Sequence, residues 1–276
     1  MLWQLRQMGY EAVLLDDSIY TTNVYCSKKT RLLNWCKRCI KMMIPSFRRT
    51  IRNDQVSLGL YKSFRDKWLN IDKCIEPLNL LDERYDCYVC GSDQIWNSGC
   101  LATTGKDFFF ASFSHKPKIA YAPSGLVNYP QIAHAKLTSL IKDFTWLSVR
   151  EAEAAPLIHN LTGKEVATVV DPTLLISKDV WDELLSTKHV LHRPYILLYL
   201  LKKNEAYVQA AKQYAIQKGV SLKIIHSIFI NHGEHTIPAG PSEFLSLVKN
   251  AEMIMTDSFH GTIFAIKFHR PFITFQ

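Results

Sequence analysis

Long hydrophobic runs are missing from this 276-residue sequence. The longest clearly apolar stretch, residues 195–201, is seven residues, well short of the roughly 20 that a helix uses to cross a bilayer. The opening Met1-Leu2-Trp3-Gln4-Leu5-Arg6 has neither the basic lead nor the long apolar stretch of a secretory signal. Glycine and proline are sparse, at 11 each, and no repeat at solenoid spacing is visible, which excludes collagen-like and repeat architectures. The seven cysteines, an odd number scattered along the chain, read as reduced thiols in a cytoplasmic protein rather than a disulfide framework. What remains is 47% hydrophobic and 21% charged, with a mean hydropathy of −0.05. Such a chain is globular and long enough for one large domain or two of ~100–150 residues.

Acidic residues are missing from one stretch. Residues 28–52 hold nine Lys or Arg and no Asp or Glu, so this segment carries the whole formal net charge of +8. Leu32, Leu33, Trp35, Ile40, Met42, Met43 and Ile44 are interleaved so that a helix here has one apolar side. A basic amphipathic helix of this kind suits peripheral contact with an anionic membrane. It equally suits a surface insertion whose apolar side packs on the host domain. No nucleic-acid recognition module is recognisable.

The rest of the chain alternates short apolar strands with helical patterns of 10–15 residues, the rhythm of parallel, doubly wound sheets. Strands are expected at 11–15, 85–90, 118–122, 145–149, 166–170, 195–201, 221–226, 253–256 and 271–275, with a second polar helix at 56–69. The reading is α/β: two Rossmann-like domains with a cleft between them. The N-terminal domain is expected at 1–176, with a basic helical insertion near 28–70, and the C-terminal one at 177–276. Met1 falls inside what should be the helix after a first strand, and Gln276 directly follows a strand, so truncation at both ends is expected.

Ligands of open α/β sheets gather at the carboxyl ends of strands, and three such ends are chemically rich. After the strand at 85–90 come Gly91-Ser92-Asp93-Gln94-Ile95-Trp96-Asn97. Gly91 permits a tight turn, and Ser92 and Asp93 offer a hydroxyl and a carboxylate; an Asx turn capping a helix is the plain alternative. Arg150 follows the strand at 145–149, either to grip a carboxylate or phosphate or to pair with Glu151 or Glu153. Thr256-Asp257-Ser258-Phe259-His260-Gly261-Thr262 turns a strand into a helix whose first N–H groups suit an anion. His260 is a candidate proton carrier in that first turn, with a capped helix and a satisfied histidine as the plain alternative. Cys36/Cys39 and Cys87/Cys90 have zinc-like pair spacing. The first pair falls on the basic helix and the second on alternate sides of a strand, so no metal site is expected. His232 and His235 read as loop residues facing solvent.

Taken together, the stretch from Asp86 to Asn97, then Ser148-Val149-Arg150-Glu151, then Val170-Asp171-Pro172-Thr173-Leu174-Leu175 with Trp181 behind it, then Thr256 to Thr262 before Pro271-Phe272, resemble the ordered motifs of the polysaccharide pyruvyl transferase family. The resemblance spans nearly the whole chain. It implies a glycosyltransferase-B-like fold and transfer of pyruvate from phosphoenolpyruvate to a sugar as a cyclic ketal, in exopolysaccharide or cell-wall glycan synthesis. It implies catalytic roles for Asp93, Arg150 and His260; the part expected of Arg150 is to clamp the donor's carboxylate or phosphate. Gly91, Ser92, Gln94, Asp257, Ser258, Gly261 and Thr262 are implied as substrate-binding. Phosphoenolpyruvate is the donor, a glycan or lipid-linked sugar the acceptor, and no cofactor or metal is implied. The expected location is the cytoplasm, at the inner face of the plasma membrane if the segment 28–52 touches lipid. Many family members carry Arg where this chain has Ser258, and the family's amino-terminal strand and its Asn/Gly loop are not in this sequence. A nucleotide-sugar glycosyltransferase of the same fold and a non-catalytic sugar-binding relative are the alternatives.

Overall fold

The computed structural model describes residues 1–16, 45–73, 77–98, 106–186, 194–225 and 236–275. In chain order, helix α1 (Leu2–Gln7) and strand β1 (Leu14–Leu15) precede helix α2 (Pro45–Trp68), β2 (Ile71–Asp72), β3 (Tyr88–Cys90) and β4 (Lys118–Ala120). Then come α3 (His134–Ile141), β5 (Trp146–Val149), α4 (Ala155–Thr162), β6 (Val166–Thr168), α5 (Pro172–Leu175) and α6 (Lys178–Glu183). The rest is β7 (Tyr195–Tyr199), α7 (Glu205–Lys218), β8 (Ser221–Ile225), β9 (Thr236–Ile237), α8 (Pro241–Asn250), β10 (Met253–Thr256), α9 (Phe259–Lys267) and β11 (Phe272–Thr274). Among the described residues no helix is long and apolar enough to cross a membrane.

Among the described residues every strand pairing is parallel, as the alternating rhythm requires. The described residues form two compact units, one of residues 1–16 and 71–175, the other of 45–70 and 176–275.

In the first unit β3, β4, β5 and β6 lie side by side in sequence order, and β1 pairs with β2 in a separate two-stranded sheet. Its core holds an aromatic group among aliphatic side chains. Trp96 is fully buried, stacked on Phe110 at 4.9 Å between centroids and set edge-on to Phe144 at 5.4 Å. Its indole N–H donates to the Phe109 carbonyl at 3.4 Å. The tryptophan in the loop after β3 is therefore an anchor, and it fixes Gly91–Gln94 above the sheet.

In the second unit the strand order is β11-β10-β7-β8-β9. The apolar run at 195–201 becomes the central strand β7 because both of its faces are covered. Tyr195 and Leu197 pack with Leu245, Val248 and Phe264 from α8 and α9. Ile196 and Leu198 point the other way, to Val208, Ala211 and Ala215 of α7.

Helix α2 departs from the sequence expectation in two ways. It runs unbroken from Pro45, a residue well suited to a first helical turn, through the point where two separate segments were expected. It also packs within the second unit rather than the N-terminal domain. Asn53 Nδ2 donates to the Thr236 carbonyl and hydroxyl at 3.2 Å each, and Leu60 sits so close to Gly240 that a Cβ there would lie 2.7 Å from Leu60 Cβ. Residues 28–44 of the basic segment, Cys36, Cys39, His232 and His235 lie outside the described residues. The two-residue strands β2 and β9 and the single turn α5 are too short for periodicity to reveal.

Candidate active site

Because β3 to β6 are parallel neighbours, the residues that follow them emerge on one edge of the first unit's sheet. Those residues are Gly91–Gln94 after β3, Tyr121–Ser124 after β4, Arg150 and Glu151 after β5, and Asp171 just beyond β6. Backbone bonds extend the ladder past the strands. Tyr121 N–H donates to Cys90 O at 2.9 Å, Ser124 N–H to Asp93 O at 2.7 Å, Arg150 N–H to Pro123 O at 3.2 Å and Val169 N–H to Val149 O at 3.0 Å. Ser148 Oγ, fully buried on β5, donates to Ala120 O at 2.8 Å and accepts from Ala122 N–H at 3.1 Å.

The approach at Gly91 is possible only without a side chain: a Cβ there would lie 2.0 Å from Tyr121 O. Two residues on, Asp93 holds φ +61° and ψ −145°, a region L residues rarely occupy and one that tends to mark functional positions. This backbone turns the Asp93 carboxylate to the open edge, where the side chain is 44% exposed.

Arg150 is the centre of the site. Its Nε–H donates to Glu151 Oε1 at 3.0 Å, its Nη1 to Asp93 Oδ1 and Asp171 Oδ2 at 3.1 Å each, and its Nη2 to Ser124 Oγ at 2.7 Å. The Ser124 hydroxyl in turn donates to Glu151 Oε1 at 2.7 Å and accepts from Gln94 Nε2 at 3.0 Å. Asp171 is fully buried, and its second oxygen accepts from Thr173 N–H at 3.0 Å and Thr173 Oγ1 at 2.7 Å. Burial is the largest influence on the Arg150 guanidinium and lowers its pKa. The bonds to Glu151 and Asp171, with the charges of Glu151 and Asp93, outweigh it, and the net shift is upward.

The structure therefore brings Gly91, Ser92, Asp93, Gln94 and Arg150 together. It adds Ser124, Glu151 and Asp171, which sequence reasoning did not single out as site residues. The signal was there for two of them: Glu151 adjoins Arg150, and Asp171 closely follows the strand beside it.

The remaining candidates stand in the second unit, where β10 turns into α9. The fully buried Thr256 donates its hydroxyl to Tyr199 O at 2.6 Å and accepts from Ser258 N–H at 3.0 Å. Ser258 caps the helix, its Oγ accepting from Gly261 N–H at 3.2 Å. Gly261 has no room for a side chain: a Cβ would lie 2.5 Å from Thr256 Oγ1. Asp257 binds inward, accepting from Leu201 N–H at 2.6 Å and Lys202 N–H at 3.1 Å, and Thr262 Oγ1 donates to Ser258 O at 3.2 Å. Half-buried His260 sits edge-on to the Phe259 ring at 5.2 Å. At the end of β7 the Tyr199 hydroxyl is pushed up to about 12 by burial first, then by Tyr61 of α2 and by Asp257. Cys87 and Cys90 are free thiols, and among the described residues no group of three or more His, Cys, Asp or Glu could hold a metal ion.

A family model, polysaccharide pyruvyl transferase, matches residues 2–276. No curated protein matches the chain. Among solved structures, the chain is similar to the UDP-GlcNAc 2-epimerase from Methanocaldococcus jannaschii, at 18% identity over 80% of this chain and 65% of that one, with a TM-score of 0.45. The M. jannaschii UDP-GlcNAc 2-epimerase in complex with UDP-GlcNAc and UDP gives 18% identity over 80% and 64%, with a TM-score of 0.41. The chain thus spans slightly less than two thirds of the length of these structures.

Proposed function

The chain belongs to the polysaccharide pyruvyl transferase family, and from that premise we propose that it transfers the pyruvyl group of phosphoenolpyruvate to two hydroxyls of a sugar, as a cyclic ketal, during exopolysaccharide or cell-wall glycan synthesis. The observation that carries the reading is the half-exposed Asp93 carboxylate, fixed by Arg150 at the carboxyl edge of the first unit's sheet.

In the first step a sugar hydroxyl oxygen bonds to C2 of phosphoenolpyruvate as a proton is added to C3, which becomes a methyl group. Asp93 takes the proton from the attacking hydroxyl, and His260 supplies the one that C3 receives. In the second step another hydroxyl of the same sugar bonds to C2. The C2–O bond to phosphate breaks, and the second hydroxyl's proton leaves with the phosphate. A positioned acid or base of this kind contributes about 10²–10⁴ in rate. The donor's anionic groups suit the start of α9, where helix N–H groups favour negative charge. In the same reading the reaction runs on the cytoplasmic side, and the basic segment 28–52 meets an anionic membrane that presents a lipid-linked acceptor.

Thermal-shift titration tests the reading. Phosphoenolpyruvate at 100 times its Kd should stabilise the protein by about 2.7 kcal/mol, while UDP-GlcNAc should leave it unchanged. Stabilisation by UDP-GlcNAc alone would point to a nucleotide-sugar enzyme. Phosphoenolpyruvate binding with no phosphate released to any glycan would point to a non-catalytic relative.

A further inference from the structure

Resting on that reading, we propose that Arg150 does not grip the donor: it is a positioning residue, oriented by Asp171, that fixes Asp93, and the cluster around it receives the uncharged, hydroxyl-rich acceptor.

The argument starts from the guanidinium's donors. Arginine has five N–H groups in a fixed fork, and here they already serve Glu151, Asp93, Asp171 and Ser124. That is four of the five, so a two-point grip on a donor carboxylate or phosphate would displace at least one of these partners. Asp171 is not displaceable, since it has no exposed surface and its other oxygen is tied to Thr173 twice. Pulled off Arg150, it would become a buried, unpaired charge, among the costliest groups a protein can hold. Glu151 Oε1 is held a second time by the Ser124 hydroxyl. Asp93 alone of the three carboxylates is substantially exposed, and moving it aside would remove the group that meets the sugar.

The local charge points the same way. One guanidinium faces three carboxylates, so among the described side chains of this cluster acids outnumber cations. Such a cluster disfavours a phosphate or carboxylate seated directly on the guanidinium. A sugar hydroxyl has no charge to repel and finds carboxylate and serine oxygens to bond. Asp171 then has a defined task. Its oxygen and that of Asp93 lie at equal distances from the same Nη1, so Asp171 sets the plane of the fork and thereby the place of the Asp93 carboxylate.

Isothermal titration with phosphoenolpyruvate tests this, using the parent chain and its Arg150→Lys, Asp93→Asn and Asp171→Asn variants, each checked for native circular dichroism. Lysine keeps the charge and loses the fork, and asparagine keeps the shape and loses the charge. The expected result is a Kd for phosphoenolpyruvate within threefold of the parent in Arg150→Lys, and equal or tighter in Asp93→Asn. In phosphate release with the best glycan of a panel, Asp171→Asn should lower kcat 10-fold or more and leave the KM for phosphoenolpyruvate within threefold. Added to Asp93→Asn it should slow the enzyme by less than threefold further, as expected for groups acting in one chain. A rise of tenfold or more in the phosphoenolpyruvate Kd of Arg150→Lys would overturn the proposal and make Arg150 a donor clamp. A parent that binds no phosphoenolpyruvate would overturn the transferase reading itself, and the proposal with it.

Discussion

Asp93 and Asp171, which follow the two outer strands of a four-stranded parallel sheet, share one nitrogen: Arg150 Nη1 lies 3.1 Å from an oxygen of each. The arrangement is asymmetric in a useful way. Asp171 is sealed in the protein and Asp93 is half open, so the same guanidinium is anchored on one side and presents a carboxylate on the other.

Breaking the anchor should be costly. Asp171→Ala leaves Arg150, only 11% exposed, without its buried partner, and loss of one member of a buried pair costs about 3–5 kcal/mol. A urea-unfolding midpoint reports this, and Asp93→Ala, at the exposed end, should cost less than half as much.

Glycine positions give a matched pair. Gly91→Ala drives a Cβ into the Tyr121 carbonyl, which is backbone and cannot rotate away; a loss of more than about 2 kcal/mol is expected. Gly59→Ala, in the middle of α2 with nothing within 4 Å of the new Cβ, should stabilise by roughly 0.5–1 kcal/mol. Melting temperatures of the two variants should move in opposite directions.

At the start of α9, stability and chemistry separate. Ser258→Ala removes the cap on Gly261 N–H and should cost about 1 kcal/mol. His260→Ala should leave the melting temperature within a few degrees and slow phosphate release by about 10²–10⁴. A parental rate in His260→Ala would exclude it as the acid.

Acid sensitivity follows from two carboxylates. Burial, the largest influence, raises the Asp82 pKa, but bonds from the Ser114 hydroxyl and His115 N–H hold it below its ordinary value. For Asp182 burial again acts upward first, and Lys178 at 2.9 Å and Lys249 at 3.0 Å bring it below. A group whose pKa falls on folding stabilises fully above its unfolded value, about 3.9 for Asp, and loses that contribution as pH drops through the folded value. Asp82→Asn and Asp182→Asn should therefore each be less stable than the parent at pH 6, with the gap closing below about pH 4. Urea midpoints measured at pH 6, 4 and 3 check this.

Most strands were legible because parallel strands buried on both faces read as unbroken apolar runs: β7 and β10 stand where the sequence puts them. The residues Asp93 and Arg150 were legible because they directly follow such strands. Their partnership was not, since the strand order that makes β3 and β6 the outer strands around β4 and β5 is a tertiary fact. Ser124 carried no local signal at all; it matters because β4 lies between β3 and β5. Helix α2 was legible as a helix and illegible in its partner, because its contacts with Thr236 and Gly240 come from far along the chain. Trp96 looked like part of a chemical motif and proved to be the anchor that holds that motif in place.

The most direct test of the account is phosphate release from phosphoenolpyruvate in the presence of glycan acceptors, run side by side for the parent and Asp93→Asn. The parent should release phosphate only when a glycan is present, that glycan should gain a pyruvyl ketal, and Asp93→Asn should be slower by about 10²–10⁴. Equal rates in the two proteins, or no ketal on any glycan, would contradict it.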